Sequence, residues 1–203
     1  MQTPLVVAIL ALFGSGLAIA SRRAVKGRAR SPRATVAMHA KARELAREAF
    51  EAVIHAQPSA DELMILLAVS LHETTFGAGW RAPGNAAYNM GALQAAASWT
   101  GMRFRYTDTH PTDTGGAVRY DVDFRAYPNA IEGWKDYVRE LYVRRPSVRQ
   151  AAQNLDVMGV AKAMKRTHYY EGMGKNDAER IRNYAQAIAD SILEINTQSK
   201  AKS

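Results

Sequence analysis

Cysteine is absent from the 203-residue sequence. That excludes disulfides, thiolate metal sites and a cysteine nucleophile, and it leaves the redox compartment open because cysteine-free proteins work on both sides of a membrane. The chain also lacks internal repeats, and its length suits one domain with a proper core plus a tail. Acid is the scarcer charge: 19 Asp and Glu stand against 27 Lys and Arg, a formal net charge of +8. Such an excess favours polyanionic partners, whether nucleic acid, an anionic membrane surface or acidic wall polymers. Arg22, Arg23, Lys26, Arg28, Arg30 and Arg33 form one stretch with no acid among them, so much of the imbalance belongs to an arm. Nucleic-acid binding needs a charged face on the domain itself and is therefore disfavoured.

Charge is missing altogether from Pro4 to Ala20, an apolar run slightly short of a comfortable bilayer span, ending in the small-x-small pattern Ala18-Ile19-Ala20. A cleaved signal should carry a basic region ahead of the run, yet only Met1, Gln2 and Thr3 precede it and the basic cluster follows. That order favours a membrane anchor over an ordinary export signal, with a buried or interfacial helix as the third reading. The positive-inside tendency would hold the rest of the chain on the cytoplasmic side. This fits a phage-encoded or specially delivered enzyme, virion-associated or released by membrane collapse, as well as envelope export. Ser31-Pro32 interrupts any helix, so residues 1–33 are set apart from a folded domain over 34–197.

Thr35 to Ala56 carries Val36, Leu45, Ala49, Phe50 and Val53 at helical spacing and predicts an amphipathic helix ended by Pro58. Ser59 with Glu62 is a capping-box pattern, and Asp61 to Glu73 is apolar nearly all round, which predicts the buried central helix. Gly77, Gly79, Pro83 and Gly84 mark a loop; Arg103 to Tyr106 and Val118 to Tyr127 alternate as a hairpin around Gly115-Gly116. Asn129 caps a helix through Val143, Asp156 another through Arg166, and Asn176 with Glu179 a last one striped by Ile181, Tyr184, Ile188 and Ile192. The class expected is α+β and mostly helical, a helical body with a small β-hairpin lobe, preceded by the N-terminal apolar helix.

The sharpest feature is His72-Glu73-Thr74-Thr75-Phe76-Gly77, a carboxylate at the end of the most apolar helix. The negative end of the helix dipole and apolar surroundings both penalise ionisation, so Glu73 is expected to keep a proton for a leaving group, as a general acid must. Glu73 shares a helical stripe with Val69 and Leu66 and is aimed inward. His72-Glu73 is not the start of a zinc-protease HExxH motif, because position 76 is Phe76. His39, His55, His110 and His168 lack ligand spacing and are read as surface or hydrogen-bonded residues, so neither metal nor cofactor is expected.

With these residues assigned, the stretch from about 34 to 195 resembles the lysozyme-like superfamily and is most similar to GH73-type endo-β-N-acetylglucosaminidases. Four segments carry the likeness. Leu66 to Gly77 resembles the central helix ending in the catalytic Glu, and Asn89-Met90-Gly91-Ala92-Leu93-Gln94 the groove segment. Phe124 to Pro128 with Trp134 to Tyr137 is similar to the strand and helix after the hairpin, and Met164 to Tyr170 to the segment ending in a groove tyrosine. The departures are a groove segment without the family's aromatic residue and with its glycine placed differently, and His168 where glycine is common.

The resemblance implies a peptidoglycan hydrolase cutting β-1,4 bonds of the glycan strand, with Glu73 as acid. It also implies that Tyr169, or Tyr170, lines the cleft, and that Asn89 and Gln94 bind sugar or position loops. A muramidase or lytic transglycosylase is the alternative within enzymes, and a non-catalytic wall-binding or virion structural protein the alternative outside them. Asp108, Asp113, Asp121 and Asp123 lie in or beside the hairpin; Asp108 and Asp113 are the candidates for the second carboxylate, weighed against simple turn chemistry. A separation of about 5 Å between carboxyls would mean retention and about 6.5–9.5 Å inversion. Trp80 is a candidate sugar platform, whereas Trp134 on an amphipathic helix is expected in the core. Oligomeric state is not legible.

Overall fold

The chain was analysed as a computed structural model, which describes residues 34–78, 81–82, 85–111, 117–172 and 174–200. The apolar and basic segments over 1–33, Trp80 and Asp113 lie outside these residues. Among the described residues no helix is long and apolar enough to cross a membrane.

Helix α1 (Val36–Ile54) begins where the Thr35 hydroxyl accepts the Met38 N–H at 3.3 Å. It stops at His55, which is left-handed and donates its N–H to the Glu51 carbonyl, so the helix ends before Pro58 is reached. Helix α2 (Ala60–Thr74) opens with the anticipated capping box: Glu62 N–H donates to Ser59 Oγ at 3.0 Å, and Ser59 N–H to Glu62 Oε2 at 2.9 Å. Ile65, Leu66, Ala68 and Val69 have no exposure, which makes α2 the axis of the body, as its composition requires.

A short hairpin, β1 (Arg81–Ala82) with β2 (Asn85–Ala86), precedes a long one, β3 (Arg103–Pro111) with β4 (Ala117–Arg125). The long register runs from Arg103 opposite Arg125 to Pro111 opposite Ala117. β3 is longer than the alternation suggested because cross-strand polar pairs hold its outer part. Arg105 Nε donates to Asp123 at 3.0 Å, and the Thr107 hydroxyl to Asp121 at 2.7 Å. β4 ends at Arg125 instead of Tyr127, since Tyr127 turns away to donate its N–H to the Ala87 carbonyl at 3.1 Å.

Helix α3 (Ala130–Val138), capped by Asn129, runs into a π-helical turn, Arg139–Val143. A helix the sequence reading did not find, α4 (Pro146–Ala152), starts with proline in its first turn, where the missing N–H is harmless. α5 (Val157–Arg166) is capped by Asp156, and α6 (Asp177–Lys200) starts at Asn176, whose side chain accepts the Glu179 N–H at 2.9 Å. These helices enclose α2 in one core that includes Phe50, Trp134, Tyr137, Tyr142, Val160 and Ile188. A second, small cluster of Ala87, Phe104 and Phe124 sits under the long hairpin, giving a mostly helical body with a hairpin lobe.

His39 departs from its expected surface place. It is buried on α1, edge-on to Phe76 with ring centroids 5.1 Å apart, and neither ring nitrogen has a hydrogen-bond partner among the described residues. The Glu194 carboxylate lies 3.7 Å from Nε2. Burial lowers the imidazole below its ordinary value of 6.5, and the pull of Glu194 only partly reverses this. A histidine with a depressed folded-state value takes up its proton more readily when unfolded, so its neutral form favours folding only at higher pH. Denaturation midpoints should therefore fall as pH drops below about 6.5 toward the folded-state value, and His39→Leu should flatten that part of the profile. An unchanged slope in the variant would remove His39 as its cause.

Candidate active site

Glu73 occupies the last turn of α2 and is half-buried. The backbone beyond it is bent hard: Thr75, Phe76 and Gly77 follow with φ of 53°, 58° and 80°, all left-handed. Only glycine takes this region without cost; a non-glycine residue there costs about 1 kcal/mol or more. The turn is retained by satisfied polar groups. Thr75 N–H donates to the Leu71 carbonyl at 3.1 Å, and the Thr74 hydroxyl accepts the Gly77 N–H at 2.9 Å while lying 3.0 Å from the Met90 carbonyl. That last bond ties the end of α2 to the 89–91 segment. Tyr88, Ala92 and His168 are also left-handed, so backbone strain collects in the segments around Glu73.

Tyrosines surround the carboxyl. The Tyr184 hydroxyl donates to Glu73 Oε1, fixing the side chain toward the body. Burial raises the Tyr184 and Tyr169 phenols well above the ordinary value, and the neighbouring Glu73 carboxyl adds to the effect. Tyr137 is raised likewise by burial, then by its tyrosine neighbours and Glu73. All three phenols are thereby kept as neutral hydroxyls near Glu73. Tyr169 donates to the Gly91 carbonyl at 2.7 Å, and Tyr137 to the Leu66 carbonyl at 3.3 Å. Tyr170 stacks on Tyr184 with centroids 3.8 Å apart and donates to the Ala161 carbonyl, so it backs the cluster and buttresses Tyr184. Its phenol is pushed up to about 12, by burial and then Asp177.

The segment Asn89 to Gln94 forms the next layer. Asn89 has no exposure, and its amide is fully used: Nδ2 donates to the Leu93 and Arg125 carbonyls, both at 2.9 Å, and Oδ1 accepts the Leu93 N–H at 2.8 Å. These bonds tie the 89–93 loop to the end of β4. Gln94 is exposed and bridges to Phe124 through its backbone. Gly91 is needed for close approach: a Cβ there would lie 2.5 Å from the Tyr137 ring.

No protein-family model and no curated protein sequence matches the chain. Solved structures do. A C-terminally truncated glycoside hydrolase domain of FlgJ from Salmonella typhimurium superposes with a TM-score of 0.52 at 25% identity, covering 79% of this chain and 97% of that one. The peptidoglycan hydrolase from Sphingomonas sp. A1 gives 0.58 at 20% identity, covering 83% and 96%. The catalytic domain of the autolysin Auto from Listeria monocytogenes gives 0.54 at 13%, covering 98% of each chain. The chain has the lysozyme-like fold of these hydrolase domains. In this fold, Glu73 lies in the last turn of the central helix.

Within the hydrolase fold, the long hairpin carries Asp108, Asp121 and Asp123. Asp121 and Asp123 are engaged by Thr107 and Arg105, and hydrogen bonding from Arg105 holds Asp123 below the usual carboxylate range. Asp108 stands on β3 opposite Tyr120. Trp99 is half-buried beneath the Arg125 guanidinium, and Trp134 is in the core as expected. An apolar cavity of about 240 Å³ lies beside the turn after Glu73, lined by Met38, Leu45, Phe76, Tyr88, Met90 and Trp134 among others; Glu73 is not part of its lining.

Two residues to which sequence reasoning assigned no site role lie near Glu73. Tyr184 was read from its spacing as one member of a core stripe, and Tyr137 as part of a matching segment. No local signal marks them, because what brings them to Glu73 is the packing of α6 and α3 on α2. Gly91→Ala should cost roughly 1–3 kcal/mol by forcing Tyr137 and Tyr169 aside, seen as a lowered denaturation midpoint. Tyr184→Phe should lower stability by about 1 kcal/mol or more and shift the pH profile of any Glu73-dependent activity. An unshifted profile would detach Tyr184 from the site.

Proposed function

We propose that this protein is a peptidoglycan hydrolase that cleaves β-1,4 bonds of the glycan strand, of the endo-β-N-acetylglucosaminidase type, with Glu73 as general acid. The observation that carries the reading is the placement of Glu73: a carboxyl at the end of the most buried helix, fixed by Tyr184 within a cluster of neutral phenols. The fold supports it, being that of domains named as glycoside and peptidoglycan hydrolases. Glu73 would pass its proton to the departing glycosidic oxygen, while Tyr169 and Tyr137 keep the surrounding hydrogen bonds fixed. Positive charge building up on the sugar would be met by a hairpin carboxylate, Asp108 or Asp113, or by the substrate's own acetamido group. Strand alternation puts positions 104, 106 and 108 in one row of β3, the reason to prefer Asp108. The net charge of +8 suits an acidic wall polymer, and residues 4–20 would retain the enzyme at the envelope.

Glu73→Gln should keep the denaturation midpoint close to wild type and reduce fragment release from purified cell walls by about 100-fold or more. Mass spectrometry of the wild-type digest should show reducing N-acetylglucosamine ends. Wild-type rates in the variant would remove Glu73 as the acid, and anhydro ends would move the enzyme to the transglycosylases.

A further inference from the structure

A ladder of buried charge runs from the hairpin to the tyrosine side of Glu73. Its first rung is Arg125 at the end of β4, whose Nη1 donates to Asp136 and to Glu140, each at 2.7 Å, while its Nε holds the Gln94 carbonyl at 3.1 Å. The second is Glu140 in the π-helical turn, 5% exposed and also bonded by Arg144 and Arg145. Burial pushes the Glu140 carboxyl up, but hydrogen bonds from Arg125 and Arg145 outweigh it and hold it below the usual range. The third is Arg145, whose Nη1 donates to Glu140 Oε2 at 3.0 Å and whose guanidinium carbon lies 5.2 Å from the centre of the Tyr169 ring.

One detail separates this from ordinary ion pairing. The Nε–H of Arg145 is buried and has no partner among the described residues. A guanidinium placed only for its own hydrogen bonds would not leave a buried donor unused, since that costs about 1–3 kcal/mol. The guanidinium instead lies over the Tyr169 ring.

We propose that Arg145 is a positioning residue for the hydrolytic site, one that carries the anchorage of the hairpin through Glu140 to the face of Tyr169 and so fixes that phenol beside Glu73. This rests on the catalytic reading of Glu73. Tyr169 feels the nearby carboxyls, Glu73 and Glu140, and its ring is covered by the Arg145 cation. Arg145 touches no reacting atom; its effect is on orientation, and so on turnover more than on binding.

The test uses the full chain with Arg145→Met and Arg145→Lys. Two readouts are needed: wall digestion kinetics, and the ring-flip rate of Tyr169 by NMR line shape. Arg145→Met should lower kcat roughly 10- to 100-fold with KM within about threefold, and should speed the Tyr169 ring flip. Lysine, which keeps the charge toward Glu140 and the ring, should restore most of both. If methionine prevents folding, Arg145→Gln provides the same comparison. A ring as immobile as wild type in the uncharged variant, an unchanged kcat, or lysine no better than methionine would each overturn the proposal. Should the wild type release no wall fragments, the catalytic reading fails, and the ring-flip comparison still decides whether Arg145 orders Tyr169.

Discussion

Everything around the site depends on one constraint: the C-terminal end of α2 has to be buried, and a buried helix end exposes carbonyls and polar side chains that must find partners within the protein. The structure meets this with short-range capping at Thr75 and Thr74 and with phenols brought in from α3, α5–α6 and α6. Glu73 lies inside that solution. Its carboxyl is one more polar group for which the body supplies a donor, Tyr184, and the strained turn beyond it is tolerated because Thr74 and Met90 hold it from both sides.

The hairpin lobe is joined to this body by polar means. Its apolar contact is confined to Ala87, Phe104, Phe124 and a few neighbours, whereas Asn89 and Arg125 thread hydrogen bonds between the lobe, the 89–94 segment and α3. Arg125 answers to two buried carboxylates and a carbonyl, with burial opposing its charge and Asp136 and Glu140 more than restoring it. Losing one partner of such a cluster leaves an uncompensated buried charge, which costs about 3–5 kcal/mol. The geometry between lobe and body is thus specified by groups whose bonding is directional, and apolar packing there has only a minor share.

Much of the fold was legible in the chain because its signals are local. The Ser59–Glu62 box, the Asn129, Asp156 and Asn176 caps and the unbroken apolar face of α2 each act within a turn or two, and each is found where it was expected. The hairpin was recognised but its length was not, since Arg105–Asp123 and Thr107–Asp121 are cross-strand pairs that no single segment reveals. α4 was missed because a seven-residue helix beginning at Pro146 is held by its neighbours more than by its own pattern. At the site, Glu73 announced itself through its position on α2, yet Asn89 turned out to be wholly internal and Tyr184 to be Glu73's partner. Both outcomes depend on which elements meet in space.

The division of apolar packing between a large body cluster and a three-residue patch under the hairpin has a consequence for motion. Opening free energies within a domain track local burial, so amides of β3 and β4 beyond the Arg125 anchor should exchange faster than those of α2. The outer hairpin can thus move while the end of α2, held by Thr74, Met90 and Tyr184, keeps its place.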